Sequence, residues 1–497
     1  MKRAFAILLA AALLGAGVAS RADPQPGSIL THHGHPDRSG NFIVPALNWD
    51  RARSLRLDEG FHPQVSGNVY AQPLYWRPPG SKPAILLLAT ESNNVYAIDA
   101  VTGAEVWKRA LGKPVARASL PCGNIDPLGV TGTPVIDEST GAIYLDAATD
   151  ASPGVQHLIF ALSLKDGSVL PGWPVNVAEA LKRAGQTFAP LVQNQRGALT
   201  ILNGMLYTPF GGHAGDCGDY HGVVFGVSIS NPRIVRSWRT RARGAAVWAP
   251  GGISSDGKSL FVATGNSIDA ATWADGEAVF RLAPDLHRSD DKRDFFTPSD
   301  WKALDDRDAD LGGSNPLPLD VPARTGDQAL LLALGKDGKA YLLDRNDLGG
   351  TGGALAVATV ATGAIKTAPA AYRVGNDLFV ALHGEGAHCP SPQPDIGLTV
   401  LKIQSGSPPA MTTAWCAPLS GVGSPIVTTT DGRADPIVWI LGAEGDNRLH
   451  GYKGDTGEPL FAGPSDGLSG LRHFQTLIAT DDRLYIGADG TIHAFAF

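Results

Sequence analysis

Three polar clusters hold the side chains of greatest chemical reach in this 497-residue chain. His213, Asp216, Asp219 and His221 form one, residues 266–277 with Asn266 and Glu277 at their ends a second, and His383, Glu385 and His388 a third. Imidazoles and carboxylates in such company suit metal ligation or proton transfer. No HxH or HExxH spacing joins the histidines, His473 included, so a transition-metal centre is the weaker reading. Cys122, Cys217, Cys389 and Cys416 contain no CxxC, and an even set without metal spacing points to two disulfides in an oxidising compartment. Three pairings are open. Cys389 and Cys416 fall inside one repeat unit, which favours them together and leaves Cys122 with Cys217.

Short β-rich runs separated by Gly, Asp and Asn turns must position these clusters. The clearest unit spans residues 84–107: a strand at 85–90, a turn, a second strand at 95–99, a Thr102-Gly103 turn and a run ending in Trp107. It recurs around residues 158–173, 223–238 and 449–457, the last without its tryptophan. Periods of about 40 to 50 residues built of four strands are the mark of a β-propeller. Units starting near Tyr70, Val130, Ala198, Trp248, Gly312, Lys366, Gly423 and His473 make eight blades. The last stops at a third strand, residues 491–497, so a segment around Ser54 to Leu57 is expected to supply the fourth and close the ring, since an open edge exposes unpaired backbone groups. The expectation is an all-β, eight-bladed propeller over residues 66–497, with a lead-in and ring-closing strand at 23–65. Functional side chains then belong on the longer loops at one mouth of the channel.

Lys2 and Arg3, an apolar run to about Val18 and the small residues Ala19, Ser20 and Ala22 read as a signal peptide over residues 1–22, giving a periplasmic or secreted protein. No cysteine follows the run to take a lipid anchor, and no window reaches the roughly 20 apolar residues of a membrane span. A net charge of -7 without clustered Lys and Arg argues against a nucleic-acid partner. Sixty glycines and 36 prolines fit many tight turns.

Residues 94–107 (NVYAIDAVTGAEVW) resemble the tryptophan-docking motif of the pyrroloquinoline quinone (PQQ)-type propeller family, which holds both alcohol dehydrogenases and non-enzymatic scaffolds. The likeness spans the whole mature chain, with two or three strong repeats. Residues 247–266 are similar to the dehydrogenase segment in which a tryptophan stacks under the quinone and an asparagine ligates calcium; Trp248 and Asn266 are the matching positions. Asp310 to Asn315 (DLGGSN) resembles the segment of the catalytic aspartate, which would make Asp310 the base. Lys336, in GKDGKAYLLDR, falls where the family sets a cation against the quinone oxygens. Each has a structural reading too: Trp248 as an interblade wedge, Asn266 as a turn residue, Asp310 as a turn cap and Lys336 as a solvated hairpin residue.

The departures are as informative. The adjacent cysteines that the family holds over its quinone are missing, Ala309 replaces a tryptophan, Tyr70 stands near an expected glutamate, and His213 stands where a calcium-binding glutamate is expected. A neutral imidazole does not replace a carboxylate's charge. The resemblance implies PQQ and calcium as cofactors and His213 as a candidate metal ligand. The departures favour a binding or scaffold protein with a degenerate cofactor site, whose mouth takes a small molecule or an envelope protein. A PQQ- and calcium-dependent oxidoreductase of alcohols or sugars is the alternative.

Overall fold

Runs of Leu, Val, Ile and aromatic residues give strands buried on both faces, and the Gly, Asp and Asn between them turn the chain back on itself. In the computed structural model, which describes residues 27–497 apart from Ser81, Pro153, Thr325 and Pro392, these strands form eight separate sheets. The expected signal peptide lies outside the described residues. The innermost strands are Leu74–Trp76, Val135–Asp137, Thr200–Leu202, Ser254–Ser255, Leu317–Val321, Ala370–Val374, Ile426–Thr429 and Leu477–Ala479. Each opens a few residues after the blade start read from the sequence. No helix among the described residues is long and apolar enough to cross a membrane.

The core lies between neighbouring blades rather than within any one. Leu74, Leu87 and Ala97 of blade 1 share a buried cluster with Ile136, Ile143 and Leu162 of blade 2. Trp107, on the outer strand of blade 1, wedges this seam, its indole N–H donating to the Leu164 carbonyl at 3.1 Å. The ring lies on Gly167, where φ is +66° and an added Cβ would stand 2.6 Å from Trp107. Trp415 of blade 6 repeats the contact, donating to the Gly454 carbonyl of blade 7 at 2.9 Å and covering Gly457. The glycine turn of one blade is thus the socket for the preceding blade's tryptophan.

The ring closes as expected. Arg56–Leu57 pairs antiparallel with the C-terminal strand Thr491–Ala496 as the outer strand of blade 8. A second N-terminal strand, Asn41–Ile43, adds in parallel to the inner edge of blade 7. Both disulfides join the favoured partners, Cys122 to Cys217 and Cys389 to Cys416.

The lead-in threads the channel and ties the blades from inside. Ile29 bridges to Tyr75 in blade 1, and the Leu30 carbonyl accepts from Ile136 of blade 2 at 2.8 Å. Pro36 accepts from Ser255 of blade 4, Ser39 from Ala371 of blade 6 and Gly40 from Val427 of blade 7. Arg38, fully buried, donates to the Leu199 carbonyl at 2.8 Å, the Ile253 carbonyl at 3.1 Å, Thr31 Oγ1 at 2.5 Å and the His32 carbonyl at 3.1 Å. His32 and His33 stack beside it, both pushed below the usual histidine range by burial. Ser28 meets Glu138 in the turn between the first two strands of blade 2, so the plug enters opposite the face bearing the second-to-third-strand loops and the blade connections. One mouth of the channel is thereby filled.

Arg38→Ala should cost about 3 kcal/mol or more, because it strands three buried carbonyls and deletes hydrogen bonds from a charged donor. Chemical denaturation of the variant reads this directly; a cost under about 1 kcal/mol would remove Arg38 as the inner tie.

Candidate functional site

At the other mouth is a cavity of about 260 Å³. Residues from most of the ring border it: Asn124, Arg196, His213, Asp216, Trp248, Asn266, Asp308, Asp310, Lys336, Lys366, His473 and Phe474. All sit on loops between second and third strands or on connections between blades, so the fold itself brings them to one face. Trp248, Asn266, Asp310, Lys336 and His213, five residues widely separated in sequence, share this cavity.

Asp310 is its centre. The loop that carries it packs backbone to backbone on blade 4, where an added Cβ at Gly265 would meet Asp310 Oδ1 at 2.8 Å and one at Gly312 would meet Gly265 N at 2.5 Å. Asp310 Oδ1 accepts the Asn266 backbone N–H at 2.7 Å, and Oδ2 accepts the Trp248 indole N–H at 3.1 Å. Lys336 Nζ completes the set, 2.7 Å from the same Oδ2 and 2.9 Å from Asp308 Oδ1. Its backbone N–H also donates to the Asp310 carbonyl at 2.9 Å, and its ammonium lies 5.4 Å from the centre of the Trp248 ring. Lys336 is therefore not a solvated hairpin residue, and Trp248, half-buried with one face on the cavity, is not an interblade wedge.

Glu277 lies behind this carboxylate, fully buried, with Oε2 accepting the Leu311 N–H at 2.6 Å and Oε1 without a partner among the described residues. Burial, and after it the charge of Asp310, hold Glu277 well above the usual carboxylate range. Burial raises Asp310 as well, and the Lys336 ammonium and the Asn266 N–H work against that rise, so Glu277 is the member of the pair held further from ionisation.

In the loop of residues 213–222 Tyr220 donates to Asp216 Oδ1, and burial first, then that charge, push its phenol far above the ordinary range. His213 Nε2 bonds the Leu191 carbonyl at 3.2 Å, and burial pushes the ring down to about 4, which leaves it neutral at physiological pH. The Asn266 side chain borders the cavity and makes no hydrogen bond to the described residues. His473 pairs with Glu444 at 2.9 Å and stands edge-on to Tyr70. His221 and His383 do not line the cavity, and among the described residues no group of three or more His, Cys, Asp or Glu is placed to hold a metal.

No family model and no curated protein matches this sequence. Solved structures do. The europium-containing methanol dehydrogenase superposes with a TM-score of 0.65 at 14% identity, covering 95% of this chain and 98% of its own. The quinohemoprotein alcohol dehydrogenase from Comamonas testosteroni gives 0.64 at 15% identity, covering 95% of this chain and 80% of its own. The enzyme ADHIIG from Pseudomonas putida HK5 gives 0.64 at 14%, with the same coverages. The chain has the quinoprotein dehydrogenase fold.

At these identities the likeness concerns the fold, so a cofactor must be judged on the residues present. Calcium requires six to eight oxygen ligands, several of them carboxylate. Here the carboxylate that meets Asn266, Asp310, has both oxygens on nitrogen donors, one of them a Lys ammonium, and a neutral imidazole stands at 213. That donor set does not fit calcium. The aromatic floor and the cation at its edge fit a flat organic molecule.

Sequence reading missed Arg196, Lys366, Asn124 and Phe474. Three of them have a positional signal: Tyr70, Thr131, Arg196, Lys366 and His473 each lie four residues before the innermost strand of a blade, and Phe474 follows the last of them.

Lys336→Met should destabilise the fold by about 3 kcal/mol, since it strands a buried carboxylate, and Asp310→Asn in the same chain should recover most of that loss. Denaturation of the two single variants and the double variant gives the coupling; strictly additive costs would contradict the pairing.

Proposed function

We propose that the protein is an exported binding protein of the quinoprotein-like fold, which takes a flat small molecule over Trp248 at the open mouth of its channel without a metal ion. The occupancy of Asp310 carries this reading: its oxygens hold Trp248, Asn266 and Lys336, so the residue that resembles a catalytic base is used to build the floor. An ionised carboxylate already neutralised by an ammonium at 2.7 Å is a poor acceptor for a substrate proton. Of the two expected partners, the recessed cavity of about 260 Å³ suits a small molecule better than an envelope protein. Two disulfides support export, and Cys122–Cys217 fastens the loop of residues 111–134 to the loop of residues 213–222 beside the cavity.

One observation favours the oxidoreductase reading. Trp248, Asn266, Asp310 and Lys336 converge at the positions that the resemblance marked. If PQQ were held here it would supply the two-electron chemistry, with Trp248 as its floor, Lys336 at its oxygens and Asp310 as the base. The missing carboxylate at 213 and the ion pair on Asp310 weigh against that role.

The two readings separate in one experiment. Purified protein is titrated with PQQ, with and without calcium, by calorimetry, and then assayed for dye-linked oxidation of primary alcohols. The binding role predicts calcium-independent affinity that Trp248→Ala weakens about tenfold, and no turnover. Calcium-dependent turnover abolished by Asp310→Asn would overturn it.

A further inference from the structure

The outer strand of blade 3, Val235–Arg239, pairs along one edge only, with Val223–Ser228. The phase of that ladder is fixed at its two ends, where Ser228 donates its N–H to the Ile234 carbonyl at 3.0 Å and Thr240 to the Gly222 carbonyl at 2.9 Å. Even-numbered residues therefore bond inward, and the backbone groups of Val235, Ser237 and Arg239 point away from the sheet. Side chains already reach two of these carbonyls, Arg236 to Val235 at 3.0 Å and Arg288 to Arg239 at 2.5 Å. The three N–H groups and the Ser237 carbonyl have no partner among the described residues.

This edge is the base of a groove of about 800 Å³, walled by residues 184–187 on one side and 285–288 on the other. The walls meet opposite faces of the strand. Ser237 bonds Gln186 at 2.6 Å and Arg239 bonds Thr187 at 3.1 Å, whereas Trp238 turns to Phe280 of blade 4 with Arg288 over its ring. The groove is also basic, in a chain whose net charge is -7. Arg236 and Arg239 line it with no carboxylate within 4.0 Å among the described residues, and Asp285 is the one acid in its lining. Arginines on an open edge discourage neutral or basic strands, a copy of this one included. They leave the edge to a segment that brings carboxylates, with main-chain hydrogen bonds supplying affinity and side chains supplying choice.

We infer that this groove docks an extended acidic segment of a partner protein, added as a further strand along Val235–Arg239 with carboxylates on Arg236 and Arg239. The two arginines stand on opposite faces of the strand, so the segment carries acids at both odd and even positions. The groove shares no residue with the cavity at the channel mouth, and this docking is a second role, independent of the ligand proposed there.

The test uses three labelled, end-capped peptides titrated into the purified protein by fluorescence anisotropy: TEVEEVET, its neutral analogue TQVQQVQT, and TEVEEVET N-methylated at every interior residue. The acidic peptide should bind at least about tenfold more tightly than either of the others, since one lacks the charge and the other the backbone donors. Joint Arg236→Gln and Arg239→Gln substitution should abolish the preference for the acidic peptide over the neutral one and keep the melting temperature within about 2 °C, because both side chains reach solvent. Ser237→Pro, which removes an outward N–H and leaves the ladder and both arginines in place, should weaken the acidic peptide about tenfold. Equal affinity for the acidic and neutral peptides, or no binding of the acidic one, would overturn the proposal. An N-methylated peptide that binds as tightly as its parent would show a plain anion patch and would also overturn it, as would concentration-dependent self-association that the acidic peptide reverses, which would give the edge to a second copy of the chain.

Discussion

Both oxygens of one buried carboxylate are shared among donors from two blades, and the character of the open mouth follows from that. Asp310 joins the floor residue Trp248 and the Asn266 backbone of blade 4 to Lys336 of blade 5. Such an arrangement is stable only if every donor stays in place, because a stranded charge in this environment is expensive. The ammonium of Lys336, 2.7 Å from one of these oxygens, repels a divalent cation from the same carboxylate. With the acids of blade 5 spoken for, Arg196 and Lys366 line the cavity with no carboxylate within 4.0 Å among the described residues.

The rest of the molecule holds that arrangement still. Eight sheets that cannot bury themselves alone are wedged by tryptophans set on glycine turns, closed outside by Arg56–Leu57 and tied inside by the lead-in that carries Arg38. Filling the channel from one side leaves the opposite mouth for a ligand. The loops there are anchored: the disulfide at Cys122 and Cys217 fastens two of them, and backbone contacts at Gly265 and Gly312 fix two more. Their geometry is set before any ligand arrives, which lowers the entropic cost of binding.

Much of the ring was legible in the chain because blade packing leaves a periodic mark. The 94–107 run, its weaker copies and the truncated last blade lead to eight blades and to closure near Leu57, and the residues resembling a dehydrogenase site do converge on one cavity. The parallel strand Asn41–Ile43 and the plug were not legible, since they are held by backbone groups and one buried arginine that have no repeat. The state of Asp310 was hidden for a related reason. A sequence can place Asp and Lys in matching positions, but only geometry shows the 2.7 Å contact that turns a candidate base into half of an ion pair. Arg196 was missed because a single arginine before a strand carries no motif. The recurrence of polar or aromatic channel-mouth residues four places before five of the eight inner strands is the signal that would have found it.

The central claim, that Asp310 is held by nitrogen donors and coordinates no metal, can be tested optically. Chelator-treated protein is titrated with terbium in the presence and absence of excess calcium, and emission sensitised by tryptophan is recorded, with Trp248 and Asn266 both bordering the site. The account predicts no saturable emission that depends on Asp310. Stoichiometric emission that calcium displaces and that Asp310→Asn abolishes would contradict it.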